Sequence, residues 1–214
     1  MPRLVTAVLT FVCVVSTVNS WGAEKRAAKP DRSSSESKTG SFEDAFERDE
    51  LGAGWSAVKG DWKIVDGVLV GREKKEDAHA AVVNCNRPNR NSTIQFSFKL
   101  DGTDGFHLSF NHAKGHLFRV LVDKTKVIIR TDKDTKDAAS KPVTLATADA
   151  EIAQGTWHTM RAELDGEQVT VQINDDLKLK GRHPSLDVDK PNYRFVMRGA
   201  AWALDNVKIS ASVK

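Results

Sequence analysis

The sequence predicts an all-β protein, a two-sheet antiparallel β-sandwich or jelly roll, and three observations support this fold class. Asp66-Gly67 and Asp165-Gly166 each separate two runs of alternating apolar and polar residues, which is the strongest short-range signal for a hairpin. Residues 93–131 also alternate apolar and polar side chains over most of their length. Helix signals are nearly absent, and Gly, Asp and Asn turns divide the chain into about thirteen short strands.

The segment Trp157–Asn174 is the hairpin around which the rest of the fold is arranged. Its two runs each have one apolar and one polar face, and a slip of one residue would turn the apolar face to solvent. The register is therefore specified. The pairs expected across the two hairpins are Ala162 with Val169, Met160 with Val171, His158 with Ile173, Ile64 with Leu69 and Val65 with Val68.

The N-terminal region predicts export. Arg3 is followed by an uncharged run over residues 4–18 and then by small or polar residues, which is typical of a signal peptide over 1–23, cleaved after Ser20 or Ala23. The apolar run is shorter than the ~20 residues that span a bilayer, so we expect a secreted or periplasmic protein without a transmembrane segment after cleavage.

Two regions are expected beyond the leader. Residues 24–40 are polar and rich in serine, so we expect a flexible linker. Residues 41–214 are enough for one β domain with its own core. Cys85 is the only cysteine after the leader, so no disulfide can form within the domain and its stability must come from packing.

The charge balance argues against nucleic acid as a partner. Of the formal net charge of +3, Arg3 and residues 21–40 supply all three units, which leaves the expected domain neutral. A nucleic-acid-binding domain needs a concentrated basic face.

Three segments resemble the bacterial 3-keto-disaccharide hydrolase domain family of the concanavalin A-like lectin/glucanase superfamily. They are FEDAFERDELGAGWSAVKGDWKIVDGVLVG at 42–71, WHTMRAELDGEQVTVQIN at 157–174 and ALDNVKIS at 203–210. The resemblance implies a concanavalin A-like jelly roll over residues 41–211, with a sugar site on one concave sheet and carbohydrate as the partner. It implies a glycoside hydrolase of the 3-keto-disaccharide type. The alternative is a non-catalytic module that binds a glycan or a protein at the cell surface.

The run Thr93–Thr131 is expected to form a four-stranded meander whose polar face is the candidate sugar site. Amides, hydroxyls and guanidinium groups hydrogen-bond sugar hydroxyls, and an aromatic ring supplies a flat apolar platform. If the domain is catalytic, His107 is the expected proton carrier. The other candidate substrate-binding residues are Gln95, Ser97, Lys99, Ser109, Asn111, Arg119, Arg130 and the two platform residues Tyr193 and Trp202.

Pairing of the apolar faces sets the expected neighbours on that polar face. Arg119 is expected opposite Arg130, and because like charges repel, the pair either splays into water or awaits an anion; of the two, we favour splaying. The remaining rows are Lys99, His107 and Leu121; Ser97, Ser109 and Arg119; and Gln95, Asn111 and Leu117.

Three further motifs favour ordinary structure over chemistry. The run Glu163–Glu167 mimics the paired carboxylates of family 16 glycoside hydrolases, but its Asp-Gly pair predicts a hairpin turn instead. His107, His112 and His116 are spaced too irregularly for a compact zinc site. Asp132, Asp134 and Asp137 are interleaved with lysines and lack EF-hand spacing, which favours a hydrated loop. We therefore expect no metal and no cofactor, and these features assign no oligomeric state.

Overall fold

The computed structural model describes residues 35–36, 40–113, 115–134 and 137–212. The predicted signal peptide lies outside the described residues, as does the predicted linker except for residues 35–36 and Gly40. In the part of the chain that is described, no helix is long and apolar enough to cross a membrane.

The described residues form antiparallel strands joined by short loops and two 3-10 turns, Lys75–Asp77 and Pro184–Leu186. The all-β prediction is confirmed. The strands are β1 (Ser35–Glu36), β2 (Ser41–Asp44), β3 (Trp55–Lys59), β4 (Asp61–Val65), β5 (Val68–Arg72), β6 (Ala81–Cys85), β7 (Asn91–Leu100), β8 (Gly105–His112), β9 (Gly115–Asp123), β10 (Lys126–Thr131), β11 (Thr144–Asp149), β12 (Trp157–Asp165), β13 (Gln168–Ile173), β14 (Leu177–Arg182), β15 (Tyr193–Met197) and β16 (Trp202–Ser212).

Two sheets pack face to face. The nine-stranded sheet has the order β1-β2-β16-β7-β12-β13-β14, with β5 beside β16 and β4 beside β5. The seven-stranded sheet has the order β11-β10-β9-β8-β15-β6-β3. Alternate residues of both sheets point inward, so their apolar side chains fill one shared core. Phe96 of the nine-stranded sheet, for example, packs against Phe195 of the seven-stranded sheet with ring centroids 5.3 Å apart.

The two predicted hairpins are present, one in the expected register and one displaced. In the β4–β5 hairpin, Ile64 pairs with Leu69, as predicted, and Asp66 and Gly67 have positive φ angles of 52° and 72°. The β12–β13 hairpin turns instead at Gly166 and Glu167, because Asp165 continues the ladder by pairing with Gln168. The predicted register was therefore wrong by two residues: Ala162 pairs with Val171, Met160 with Ile173 and Leu164 with Val169.

A shift of two residues leaves each side chain on its predicted face. Met160, Ala162 and Leu164 are buried as expected.

The predicted four-stranded meander is wrong at its first strand. β7 lies in the nine-stranded sheet between β16 and β12, whereas β8, β9 and β10 are consecutive neighbours in the seven-stranded sheet. The loop Asp101–Asp104 therefore carries the chain from one sheet to the other. Alternation predicts which face of a strand is buried, but both sheets of a sandwich bury an inward face, so it does not assign the sheet.

The segment at 42–71, the first of the three that resemble the family, has a structural role. Its contacts centre on the buried carboxylate of Asp44. This carboxylate accepts hydrogen bonds from both terminal nitrogens of Arg48 at 2.7 and 2.8 Å and from Trp55 Nε1 at 2.8 Å. It also accepts one from the backbone N–H of Phe46, which has a φ of 52°. A charge buried in this way must be paired and hydrogen-bonded, so the segment anchors β2 to β3.

Cys85 is fully buried at the end of β6. Burial raises the pKa of its thiol far above the usual value, so the thiolate is a negligible fraction at neutral pH.

Candidate functional site

The outer face of the seven-stranded sheet carries a continuous row of polar side chains, here called the arginine row. Cα pairing across neighbouring strands places them side by side on one face. The row consists of Ser56, Asn84, Arg194, Ser109, Arg119, Arg130 and Thr144. It crosses the whole sheet, so guanidinium groups from β15, β9 and β10 share one surface.

A second row of mostly apolar residues runs parallel to it, two residues further along each strand and so roughly 7 Å away. His107 is the ionisable member of this apolar row, flanked by Val196 on β15 and Leu121 on β9. The row consists of Val82, Val196, His107, Leu121, Ile128 and Thr147. An imidazole thus lies within an apolar strip beside a band of positive charge.

A pocket of about 410 Å³ opens over the His107 end of this face. Its floor includes His107, Leu121 and Val196, and its walls come from the loops at residues 102–105 and 198–199. Small-molecule sites typically have volumes of ~300–1,000 Å³, so the pocket has room for a sugar.

Contacts between the two loops hold the wall of the pocket in place. Thr103 Oγ1 donates a hydrogen bond to the carbonyl of Arg198, and the Gln154 side-chain amide donates one to the carbonyl of Thr103. Gly199 has a φ of 102°, and a Cβ at this position would lie 2.8 Å from the Gly102 carbonyl oxygen. The close approach of the two loops therefore requires glycine at 199.

His107 is neutral at neutral pH. Burial, together with the positive charges of Arg119, Arg130 and Arg198, lowers the pKa of its imidazole to about 4, while the charge of Asp132 opposes them. Its Nδ1 atom is buried and has no hydrogen-bond partner among the described residues. A neutral imidazole that lines a pocket can accept a proton or a hydrogen bond through its unprotonated ring nitrogen.

The guanidinium groups of the arginine row differ in how their charge is compensated. Arg119 forms an ion pair with Asp132, whose side chain is 9% exposed, and its Nε donates to Asp132 Oδ2 at 3.0 Å. Arg130 and Arg194 form no ion pair within the described ranges, and the Nε atom of Arg130 is buried without a partner. Desolvation and the nearby charge of Arg119 lower the pKa of Arg194, which shows that its surroundings disfavour its charge.

The pairing of Arg119 opposite Arg130 is confirmed, but the prediction that they splay into water is wrong. The Arg119 side chain is 22% exposed, and Asp132 draws it onto the sheet. The prediction of a hydrated loop is likewise wrong at Asp132, because its side chain is almost fully buried and forms an ion pair with Arg119. No group of three or more His, Cys, Asp or Glu side chains among the described residues is arranged to hold a metal ion.

The candidate sugar-binding residues divide between the two sheets. His107, Ser109, Arg119 and Arg130 lie together on the seven-stranded sheet, and Asn111 lies near the end of β8, where its Oδ1 is 3.0 Å from His116 Nδ1. Because β7 belongs to the nine-stranded sheet, Gln95, Ser97 and Lys99 lie beside β12 instead, in register with Arg161, Thr159 and Trp157. The expected rows joining β7 to β8 are therefore wrong.

The expected aromatic platform is also wrong. Tyr193 and Trp202 are both fully buried, and their rings pack in the core against Phe110 at 5.6 Å and Phe106 at 4.8 Å. The inward position of Tyr193 follows from strand alternation, because Arg194 and Val196 occupy the outward positions of β15.

Sequence reasoning missed four members of the arginine row: Ser56, Asn84, Arg194 and Thr144. The parity of β15 offered a signal, since an inward Tyr193 and Phe195 require an outward Arg194. The position of Arg194 between Ser109 and Asn84 depends on the strand order, which no local pattern reveals. The Glu163–Glu167 run lies at the tip of the β12–β13 hairpin, as predicted, although the turn itself is Gly166 and Glu167: Glu163 pairs with Arg161 at 2.7 Å, and Glu167 with Arg182 at 2.8 Å.

Comparisons with known proteins identify the family and support the fold. The chain matches the model of the 3-keto-alpha-glucoside-1,2-lyase-like domain over residues 41–200. No curated protein matches it in sequence.

Among solved structures, the carbohydrate binding module CBM66 from Bacillus subtilis is 15% identical, with a TM-score of 0.58, covering 72% of this chain and 94% of that one. LamAcat from Zobellia galactanivorans is 15% identical, with a TM-score of 0.57, covering 79% of this chain and 96% of that one. The Bacillus licheniformis beta-glucanase is 11% identical, with a TM-score of 0.57, covering 83% of this chain and 100% of that one. These likenesses confirm the jelly-roll fold, and the family match over most of the chain confirms the resemblance seen in the sequence: the chain belongs to the 3-keto-alpha-glucoside-1,2-lyase-like domain family.

Proposed function

We propose that this domain binds a 3-keto-α-glucoside on the outer face of its seven-stranded sheet and cleaves it by elimination across C1 and C2. One observation carries the proposal: a neutral imidazole lines a sugar-sized pocket, and guanidinium groups lie near it on the same face. The predicted leader would place this reaction outside the cytoplasm.

The chemistry of the substrate class explains why such a site is suitable. A ketone at C3 acidifies the C2–H bond, so a base can remove that proton and leave an enolate with its negative charge on O3. The electron pair then re-forms the C3 carbonyl, creates a C1–C2 double bond and breaks the C1–O bond. The leaving alkoxide takes up a proton, and neither water nor an oxidant is consumed.

His107 is the proposed proton acceptor. Its imidazole is unprotonated at neutral pH and lines the pocket, as a general base must. As negative charge develops on the substrate, the attraction between that charge and an imidazolium would raise the pKa of His107 and favour proton transfer.

Arg119 is the proposed stabiliser of the developing oxyanion. It is the arginine whose charge acts most strongly on His107, and Asp132 holds it in a fixed orientation. A preorganised donor of this kind lowers the barrier because it needs no rearrangement during the reaction. The apolar side chains of Val196 and Leu121 would contact the C–H face of the sugar ring.

The acidic residues of the pocket support elimination over hydrolysis. Hydrolysis of a glycoside usually needs two carboxylates that flank the bond, one of them enclosed so that it can act as an acid. The carboxylates lining this pocket among the described residues are Asp104 and Asp123. Asp104 is 89% exposed and pairs with Lys124, and Asp123 accepts a hydrogen bond from Thr125.

The test uses methyl 3-keto-α-glucoside and separates the two reactions by product. Elimination yields an enone with strong ultraviolet absorption, and in D2O it is preceded by deuterium exchange at C2, which NMR detects. We expect His107→Gln to lose ~10²–10⁴-fold in rate. The matched control His116→Gln, at an exposed histidine on β9 outside the pocket, should retain the wild-type rate.

Release of 3-keto-glucose without enone or exchange would replace elimination with hydrolysis. Saturable binding of the substrate analogue without any turnover would favour the non-catalytic module. A His107→Gln variant as active as wild type would remove His107 from the mechanism.

A further inference from the structure

The arginine row carries more positive charge than the proposed elimination requires. One developing oxyanion needs one or two donors, which Arg119 can supply. Arg194 and Arg130 lie on either side, three strand spacings or roughly 14 Å apart along the row. The guanidinium groups therefore extend well beyond a single reacting atom.

The surroundings of Arg130 are electrostatically unfavourable for its positive charge. Arg130 lies directly opposite Arg119 on the neighbouring strand, and like charges in such positions repel. Asp132 compensates Arg119, but Arg130 has no carboxylate partner in the described part of the chain, and its Nε is buried without a hydrogen bond. A buried donor left unpaired is destabilising, so the guanidinium of Arg130 is held on this face without a compensating protein partner.

The position of Arg130 indicates which part of a substrate would contact it. Arg130 lies two strands and two residues from His107, about 12 Å between backbone positions. A ligand group at Arg130 therefore lies beyond the ring that reacts at His107. An anion there would be a permanent feature of the substrate and not the transient oxyanion.

We propose that the substrate carries an anionic group, a carboxylate or a sulfate, on the sugar or leaving group next to the reacting ring, and that Arg130 binds it. This inference rests on the same site as the proposed function and names its substrate class. Arginine suits the role because its planar donors match the oxygens of both anions and stay charged at any working pH.

The experiment measures binding by calorimetry with three matched α-glucosides: maltose, its carboxylate counterpart maltobionate, and maltose monosulfate. Wild-type protein should bind an anionic probe at least ~10-fold more tightly than maltose at low ionic strength, and added salt should narrow the difference. Arg130→Gln should lose this preference.

Arg161→Gln is the matched control, because Arg161 lies on the outer face of the other sheet, paired with Glu163. It should keep the full preference for the anion. A preference for maltobionate alone identifies a carboxylate site, for the sulfate alone a sulfate site, and for both a general anion site. Equal binding of all three probes, no binding of either anion, or an unchanged preference in Arg130→Gln would overturn the proposal.

A second readout reports on the site without turnover. Anion binding at Arg130 cancels one of the charges that lower the pKa of His107, so maltobionate should raise that pKa in an NMR titration. An anion preference in a protein that never converts methyl 3-keto-α-glucoside would leave the anion site in place and remove the elimination. Conversion of that neutral substrate without any anion preference would keep the elimination and remove the anion site.

Discussion

The outer faces of the two sheets have the same alternating sequence pattern but different electrostatics. On the nine-stranded sheet some of the arginine and lysine charges are compensated by ion pairs: Arg161 pairs with Glu163 at 2.7 Å, and Lys208 with Glu43 at 3.7 Å. On the seven-stranded sheet, Arg130 and Arg194 lack carboxylate partners among the described residues, and three buried polar atoms are unsatisfied, namely Asn84 Oδ1, His107 Nδ1 and Arg130 Nε.

Solvent exposure follows the same division. Trp157, on the nine-stranded sheet, is 43% exposed, and Lys99 Nζ lies 5.5 Å from its ring centroid. Ser109, on the seven-stranded sheet, is 3% exposed. Polar composition alone therefore does not mark a binding face. The informative feature is polar groups that are removed from water and left without protein partners.

The largest expected effect concerns the pH dependence of stability, which His107 should dominate on the seven-stranded sheet. Its pKa is about 4 in the folded protein and ~6.5 when unfolded, so between these values the unfolded chain binds more protons. Stability is therefore full above pH ~6.5 and falls as the pH drops to 4, by about 3 kcal/mol. Urea unfolding between pH 7.5 and 4 should show a smaller loss in His107→Gln than in wild type. If the free energy of unfolding fell equally with pH in the two proteins, the lowered pKa of a buried His107 would be contradicted.

The second effect compares one ion pair from each face. Asp132→Asn leaves Arg119 half-buried without its partner and should destabilise the fold by about 2–3 kcal/mol, below the ~3–5 kcal/mol of a fully buried pair. Glu163→Gln on the other sheet breaks an exposed pair, which contributes about 0–1 kcal/mol. Urea midpoints at pH 7.5 measure both. Equal losses would mean that the two faces are solvated alike.

The smallest effect is the most specific, because its sign differs between the faces. Arg130→Gln removes a charge that opposes Arg119, so it should stabilise the ligand-free protein by about 0.5 kcal/mol. Arg161→Gln removes a compensated charge and should destabilise by up to about 0.5 kcal/mol. Thermal unfolding at low ionic strength should resolve the difference, and high salt should reduce it. A loss of stability in Arg130→Gln would argue that unseen favourable contacts outweigh the repulsion.

Local sequence patterns predicted the fold well because hairpins and alternation are local properties. The β4–β5 register follows from Asp66-Gly67 directly, and the faces of β12 and β13 survive an error of two residues in the turn. The sheet to which β7 belongs could not be predicted in the same way. Its partners β12 and β16 lie far along the chain, and they decide where Gln95, Ser97 and Lys99 lie.

The candidate site was predicted where its residues lie on strands that follow one another in the sequence, and it was missed where they do not. His107, Ser109, Arg119 and Arg130 are joined by consecutive hairpins, so their grouping could be worked out from neighbouring strands. Arg194 comes from β15, whose insertion between β8 and β6 is a long-range feature. The burial of Trp202 was likewise hidden, because a tryptophan suits a core and a sugar platform equally well.

The concealment of Cys85 has a consequence for how this chain must mature. A lone thiol in an oxidising compartment can couple to another molecule, and its raised pKa together with full burial prevents that once the sandwich has closed. The thiol is vulnerable only before folding is complete. If the predicted leader exports the chain, rapid closure of the two sheets over β6 would protect new chains from cross-linking to one another, in place of the disulfide that the domain lacks.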